Sequence, residues 1–144
     1  MTIAEQINGR KTPTRERYAV SLERAARGRG LMPPLQAHPD ETTYSVIAGS
    51  VTFFVGDERR AAETGDVVVA PDGVAHTFRI DSDGARWRVA TRVSSVARFD
   101  DLGRALARPG SMTDDDEATV GVLAAANGIR ILGSPGMLPG DVAA

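Results

Sequence analysis

Between residues 18 and 96 the chain is written in short hydrophobic runs, rich in Val, Phe, Thr and Ile, each closed by a turn signal. The turns fall at residues 28–30, 48–50, 56–57, 64–66, 71–73 and 83–84, and all of them contain glycine. Many short strands at this spacing predict an all-β sandwich or barrel. Alternation is clearest from His76 onward. His76, Phe78 and Ile80 share one face of a strand, and Thr77, Arg79 and Asp81 share the other. His76 is therefore expected to point inward with the apolar residues. Further on, Trp87, Val89, Thr91 and Val93 alternate with Arg86, Arg88, Ala90 and Arg92. The Trp87 face is expected inside and the arginine face in solvent.

The pattern changes on either side. Residues 1–17 are polar and read as an N-terminal arm. Residues 97–144 read as a helical extension with a tail. A first helix is predicted over residues 97–108, with Leu102 and Leu106 four apart and Pro109-Gly110 as its stop. A second is predicted over residues 114–127. Thr113 is its N-cap, Asp114, Asp115, Asp116 and Glu117 sit at the positive end of its dipole, and Gly128 ends it. That position makes the acidic run a helix start rather than a metal cluster. Residues 133–136 read as a turn, with Met137, Leu138 and Pro139 free to pack on the barrel or on a partner subunit.

Composition narrows the function classes. The chain has 144 residues, 42% hydrophobic and 25% charged, which suits one globular domain. A net charge of −2 gives no field that would draw it to nucleic acid or an anionic membrane. Cysteine is absent, so disulfides, thiolate nucleophiles and thiolate metal sites are excluded. Glu5, Arg10, Lys11 and Arg15 interrupt the first residues, and no apolar run is long enough to span a bilayer. A soluble, cytoplasmic protein is expected.

The chain has two histidines, and their spacing is informative. Gly30 is followed by five residues, then Gln36, one residue, then His38; Thr42 and Gly49 come next. The second block runs Gly65, five residues, Pro71, one, Gly73, two, then His76. Gln36 and His38 lie two apart on one strand, so they face the same way. Thr42 keeps that face, and Tyr44 and Val46 continue it. Glu41, offset by one, faces away unless a bulge turns it inward. These two blocks resemble the paired motifs of the cupin superfamily, in particular single-domain cupins of the quercetin-dioxygenase-like kind. The resemblance covers roughly residues 18–96. It implies a cupin or jelly-roll β-barrel with a pocket between two sheets, followed here by short C-terminal helices.

By position, the resemblance makes Gln36, His38, Thr42 and His76 the counterparts of a metal-binding His, His, Glu, His set. Two of the four are unchanged. Gln36 retains an amide oxygen as a ligand, whereas the neutral hydroxyl of Thr42 cannot offset the charge of a divalent ion. The expected cofactor is a divalent metal (Zn, Fe, Ni or Mn) on Gln36, His38 and His76, or none at all. The implied partner is a small oxygenated or aromatic molecule. Thr42, Val46, Phe53, Phe78 and Trp87 are expected to line its pocket, and His38, His76 and Tyr44 are the candidate catalytic groups. With a metal, the reaction would be Lewis-acid or dioxygenase-like. Without one, the two histidines would act as acid and base, with Tyr44 and Gln36 donating hydrogen bonds to a developing oxyanion, as in cupin-like cyclases and isomerases. A binding cupin without chemistry is the third reading. A homodimer is expected, with no nucleic-acid or membrane partner.

Overall fold

The computed structural model describes residues 22–25 (as backbone), 28–90, 106–126 and 128–142. The arm predicted over residues 1–17, the continuation of alternation at Thr91 and Val93, and residues 97–105 of the first predicted helix lie outside them. Nine strands are described: β1 (Leu22–Ala25), β2 (Leu35–Ala37), β3 (Thr42–Ala48), β4 (Ser50–Val55), β5 (Glu58–Glu63), β6 (Val67–Ala70), β7 (His76–Ile80), β8 (Arg86–Ala90) and β9 (Arg130–Gly133). One helix, α1 (Asp114–Ala126), and a 3₁₀ turn, Pro139–Asp141, complete the described elements.

The strands form two antiparallel sheets, in the orders β1-β8-β3-β6 and β5-β4-β7-β2-β9. The fold is an all-β jelly roll. Its core is built from the inward positions of both sheets, including Tyr44, Val46, Val51, Phe53, Phe78, Ile80, Trp87 and Val89. Period-two patterning explains the inward set: along β8, Trp87 and Val89 are buried while Arg86 and Arg88 are exposed. Burial of such side chains, at about 25 cal/mol per Å² of apolar surface, is the main favourable term in folding. Thr77 departs from the alternation. It sits on the outward face of β7 yet is buried, because its hydroxyl donates to the Pro33 carbonyl (3.1 Å) beneath the segment that leads into β2.

Beyond the barrel the sequence reading holds in part. Thr113 caps α1 through a bond from the Asp116 amide to its hydroxyl oxygen (3.1 Å), and the Thr113 amide donates back to the Asp116 carboxylate (3.3 Å). Gly128, at φ 73°, closes the other end. The first predicted helix is corrected where it is described. Ala107 is not helical but exchanges both backbone hydrogen bonds with Met32 (2.9 and 3.0 Å). Pro109, two residues on, already disfavours helical backbone at Arg108. The segment after α1 is expected from sequence as turn and tail, yet residues 130–133 form β9 and pair with β2. The turn at residues 133–136 follows directly, with the Met137 amide bonded to the Ser134 carbonyl (3.0 Å).

Gly49, between β3 and β4, is a turn that tolerates no side chain. Its φ is 81°, and a Cβ there would meet the Ser82 hydroxyl at 2.5 Å and the Ala85 Cα at 3.0 Å. Gly49→Ala is expected to lower unfolding free energy by about 2–4 kcal/mol, from left-handed backbone strain plus overpacking. Urea unfolding measures it, and a loss under about 0.5 kcal/mol, the level of an ordinary surface change, would contradict this account of the turn.

Candidate functional site

Five polar side chains meet inside the barrel: Gln36, His38, Thr42, Tyr44 and His76. All are buried, with Thr42 at 0% exposure, His76 and Tyr44 at 2%, His38 at 6% and Gln36 at 7%. Three strands and the end of one of them deliver the set. Gln36 on β2 lies opposite His76 on β7 in register. Thr42 and Tyr44 occupy alternate inward positions at the start of β3. Gly73, at φ 75°, donates its amide to the His38 carbonyl (2.7 Å), which ties the turn before His76 to the backbone of the other histidine. The two imidazole centroids are 4.6 Å apart, edge to face.

The hydrogen bonds assign the tautomers. The Gln36 amide nitrogen donates to the Pro34 carbonyl (2.9 Å), so its oxygen faces His38. That oxygen lies 2.8 Å from His38 Nε2, which must therefore carry the proton and donate. His38 Nδ1 is then the acceptor, 3.2 Å from the Thr42 hydroxyl. His76 has the opposite arrangement. Its Nδ1 donates to the Val74 carbonyl (3.0 Å), and its Nε2 accepts from the Tyr44 hydroxyl (3.1 Å).

Burial keeps the cluster neutral. Desolvation, with the neighbouring His76 adding to it, drives His38 down from the ordinary 6.5 to about 3. Desolvation also pushes His76 down, against the opposing effect of its bond to Val74. The same burial raises the Tyr44 hydroxyl well above its ordinary value. Around the cluster the aromatic residues expected to line a pocket are packed on one another. Tyr44 lies 5.1 Å from Phe53, Phe53 5.5 Å from Phe78 and Phe78 5.3 Å from Trp87, centroid to centroid. Glu41 is exposed, so no bulge turns it inward. Sequence reasoning missed the backbone acceptors Pro34 and Val74. Their only trace in sequence is position, since each lies two residues before the side chain it fixes.

Residues 26–90 match the family profile described as a cupin domain. Over this segment the chain carries a cupin domain. No curated protein matches it in sequence. Among solved structures it is similar to TT1209 from Thermus thermophilus, at 26% identity and TM-score 0.48, over 54% of this chain and 73% of that one. It is similar to an RmlC-like cupin from Shewanella frigidimarina, at 14% identity and TM-score 0.48, over 54% of this chain and 67% of that one. It is also similar to the DMSP lyase DddQ from Ruegeria pomeroyi, at 25% identity and TM-score 0.48, over 69% of this chain but 46% of the lyase.

The cupin positions can be tested against a metal by the chemistry of their donors. Among the described residues no three His, Cys, Asp or Glu side chains converge. Gln36, His38 and His76 offer an amide oxygen and two imidazoles, which suit a divalent transition metal in type and in number. The donor set is neutral, so it fits the ion but leaves its charge unbalanced. Among the described residues no helix is long and apolar enough to cross a membrane.

Neutral buried histidines make stability depend on pH. Above about pH 6.5 both states are unprotonated and nothing is lost. Below it the unfolded chain binds protons that the folded site refuses, so stability falls as pH falls, until His38 itself titrates near 3. Each histidine contributes up to about 1.4 kcal/mol per pH unit in that window. Urea unfolding at pH 7 and pH 5 reads the slope, and His38→Gln should remove about half of it. A slope unaltered by that substitution would show that His38 is not held neutral by burial.

Proposed function

We propose that this cupin is a small-molecule enzyme that holds a divalent cation on His38, His76 and Gln36 and acts on an oxygenated or aromatic substrate. The observation that carries the reading is the state of the two imidazoles. They are 4.6 Å apart, buried, and held neutral beside an amide oxygen whose direction is fixed. An imidazole that does not protonate near neutral pH is a weak general base, yet protons do not compete with a metal for it. The metal-free acid–base mechanism is the weaker alternative for the same reason, and Tyr44, pushed up by burial, is no proton source either.

When bound, the cation supplies Lewis acidity to a carbonyl oxygen. The chain's own groups do the rest. Tyr44 keeps its proton, which it gives to His76 Nε2 in this structure and would free for an oxygen that gains charge once Nε2 held the ion. His76 is oriented by Val74. Phe53, Phe78 and Trp87, packed on one another, shield the cluster from water. No carboxylate balances the cation, so the substrate is expected to be anionic at the oxygens that chelate it. This favours Lewis-acid isomerisation, cyclisation or lyase-type chemistry over a dioxygenase that relies on a carboxylate ligand.

Equilibrium dialysis against zinc or cobalt(II), with and without acetylacetone as a small anionic chelator, tests the reading. One ion per chain is expected, held more tightly with acetylacetone present and lost in His38→Ala and in His76→Ala. Folded wild-type protein that takes up no ion at millimolar concentration under either condition would sink the proposal.

A further inference from the structure

Thr42 occupies the most enclosed position of the cluster, and nothing so far gives it a part in the chemistry. Its hydroxyl lies 3.2 Å from His38 Nδ1 and 3.5 Å from the Asp40 carbonyl. A hydroxyl donates one hydrogen bond and accepts others, so Thr42 can face a ring nitrogen in either of two ways. In the closed arrangement it donates to Nδ1, while Nε2–H donates to Gln36. The alternative moves the single ring proton of His38 from Nε2 to Nδ1. Nδ1–H then donates to the Thr42 oxygen, and the Thr42 proton turns to the Asp40 carbonyl. The proton count and the charge are the same in both states.

The two states differ in what Nε2 presents. In the first it is a donor occupied by Gln36. In the second its lone pair and the Gln36 oxygen face each other across 2.8 Å. Two lone pairs at that distance repel unless a cation binds both. His76 needs no change of tautomer, because Val74 already holds its proton on Nδ1, and its Nε2 lone pair has only to exchange the Tyr44 hydroxyl for the ion. We infer that Thr42 is a positioning residue, the partner that lets His38 exchange tautomers so that its Nε2 can be released from Gln36 to a cation. The inference rests on the metal reading above for its second half only. The bond from Thr42 to Nδ1 in the metal-free protein stands without it. A methyl group in place of the hydroxyl would neither donate to Nδ1 nor accept from it. Valine at residue 42 would therefore remove the acceptor that Thr42 offers to the Nδ1–H of the metal-binding tautomer.

Nitrogen-15 spectra of the imidazoles and zinc titrations of the same proteins test this, with Thr42→Val as the near-isosteric variant and Thr42→Ser as the variant that keeps the hydroxyl. In metal-free wild type, His38 is expected to carry its proton on Nε2 with Nδ1 hydrogen-bonded. The Nδ1 resonance should move to that of an unbonded nitrogen in Thr42→Val and stay in place in Thr42→Ser. On zinc addition the wild-type proton should appear on Nδ1. Zinc affinity should fall about 10- to 100-fold in Thr42→Val and stay within roughly threefold in Thr42→Ser, as for loss and retention of a ligand-orienting partner. A metal-free wild type with the proton on Nδ1, or a folded Thr42→Val that binds zinc as wild type does, would overturn the inference. Wild type that takes up no zinc overturns the metal reading and the exchange together. The metal-free spectra then still decide whether Thr42 holds Nδ1, and Thr42→Ser gives that answer if Thr42→Val does not fold.

Discussion

Two imidazoles held without charge in a buried interior are the constraint on which the rest of the site depends. Moving His38 from 6.5 to about 3 corresponds to roughly 5 kcal/mol against a single positive charge at that ring. A neutral imidazole has one donor and one acceptor, and each needs a partner when water is excluded. The partners found are an amide, a hydroxyl, a phenol and a backbone carbonyl, all uncharged. Each partner is itself anchored where its direction would otherwise be free. Gln36 is anchored by Pro34, and the loops carrying the two histidines are joined by the Gly73 amide. The cluster is two hydrogen-bonded chains, Gln36–His38–Thr42 and Tyr44–His76, that meet edge to face at the imidazoles, and the strand register of β2 against β7 sets its span.

That network treats its two histidines differently. His76 is fixed by a backbone carbonyl, which cannot change its role as acceptor, so its tautomer is settled by the fold. His38 is fixed by two side chains, one of which, Thr42, can reverse its role. A carboxylate at residue 42 would have accepted from Nδ1 without being able to donate, and it would have carried a charge that this interior penalises. The hydroxyl therefore costs the site a ligand and a charge, and it gives His38 a choice of tautomer.

The parts of this arrangement that were legible in sequence are those set by local periodicity and by spacing. Period-two alternation put His76, Phe78, Tyr44 and Trp87 inside, and the family resemblance of the two blocks put Gln36, His38 and His76 in one place. Glycines at turns marked positive φ where it is found, at Gly49, Gly56, Gly65, Gly73 and Gly84. The capping pattern at Thr113 was readable because both of its bonds lie within three residues. What was not legible depends on distant backbone. β9 is four residues long, too short for a period, and exists because β2 offers it hydrogen bonds. Ala107 lies in a stretch of helical composition, but Met32 supplies an antiparallel partner from far along the chain. Thr42 was visible as a missing ligand. Its bond to His38 was not, because a hydroxyl's partner is chosen by three-dimensional proximity.

The missing carboxylate also sets how cation and substrate depend on each other. An interior that disfavours one positive charge by several kcal/mol disfavours two more strongly, and neutral donors return only part of that cost. An anionic chelate brings its own negative charge to the same point, so the ion and the chelate together enter at lower cost than the ion alone. Binding of each then raises the affinity of the other by the same factor, as linkage requires. A carboxylate in place would supply that negative charge before substrate arrives. In this barrel, with Thr42 in that place, the proposed binding of the ion would be coupled to that of substrate, and Gln36 and His38 would exchange their mutual hydrogen bond for the ion more readily when both are present.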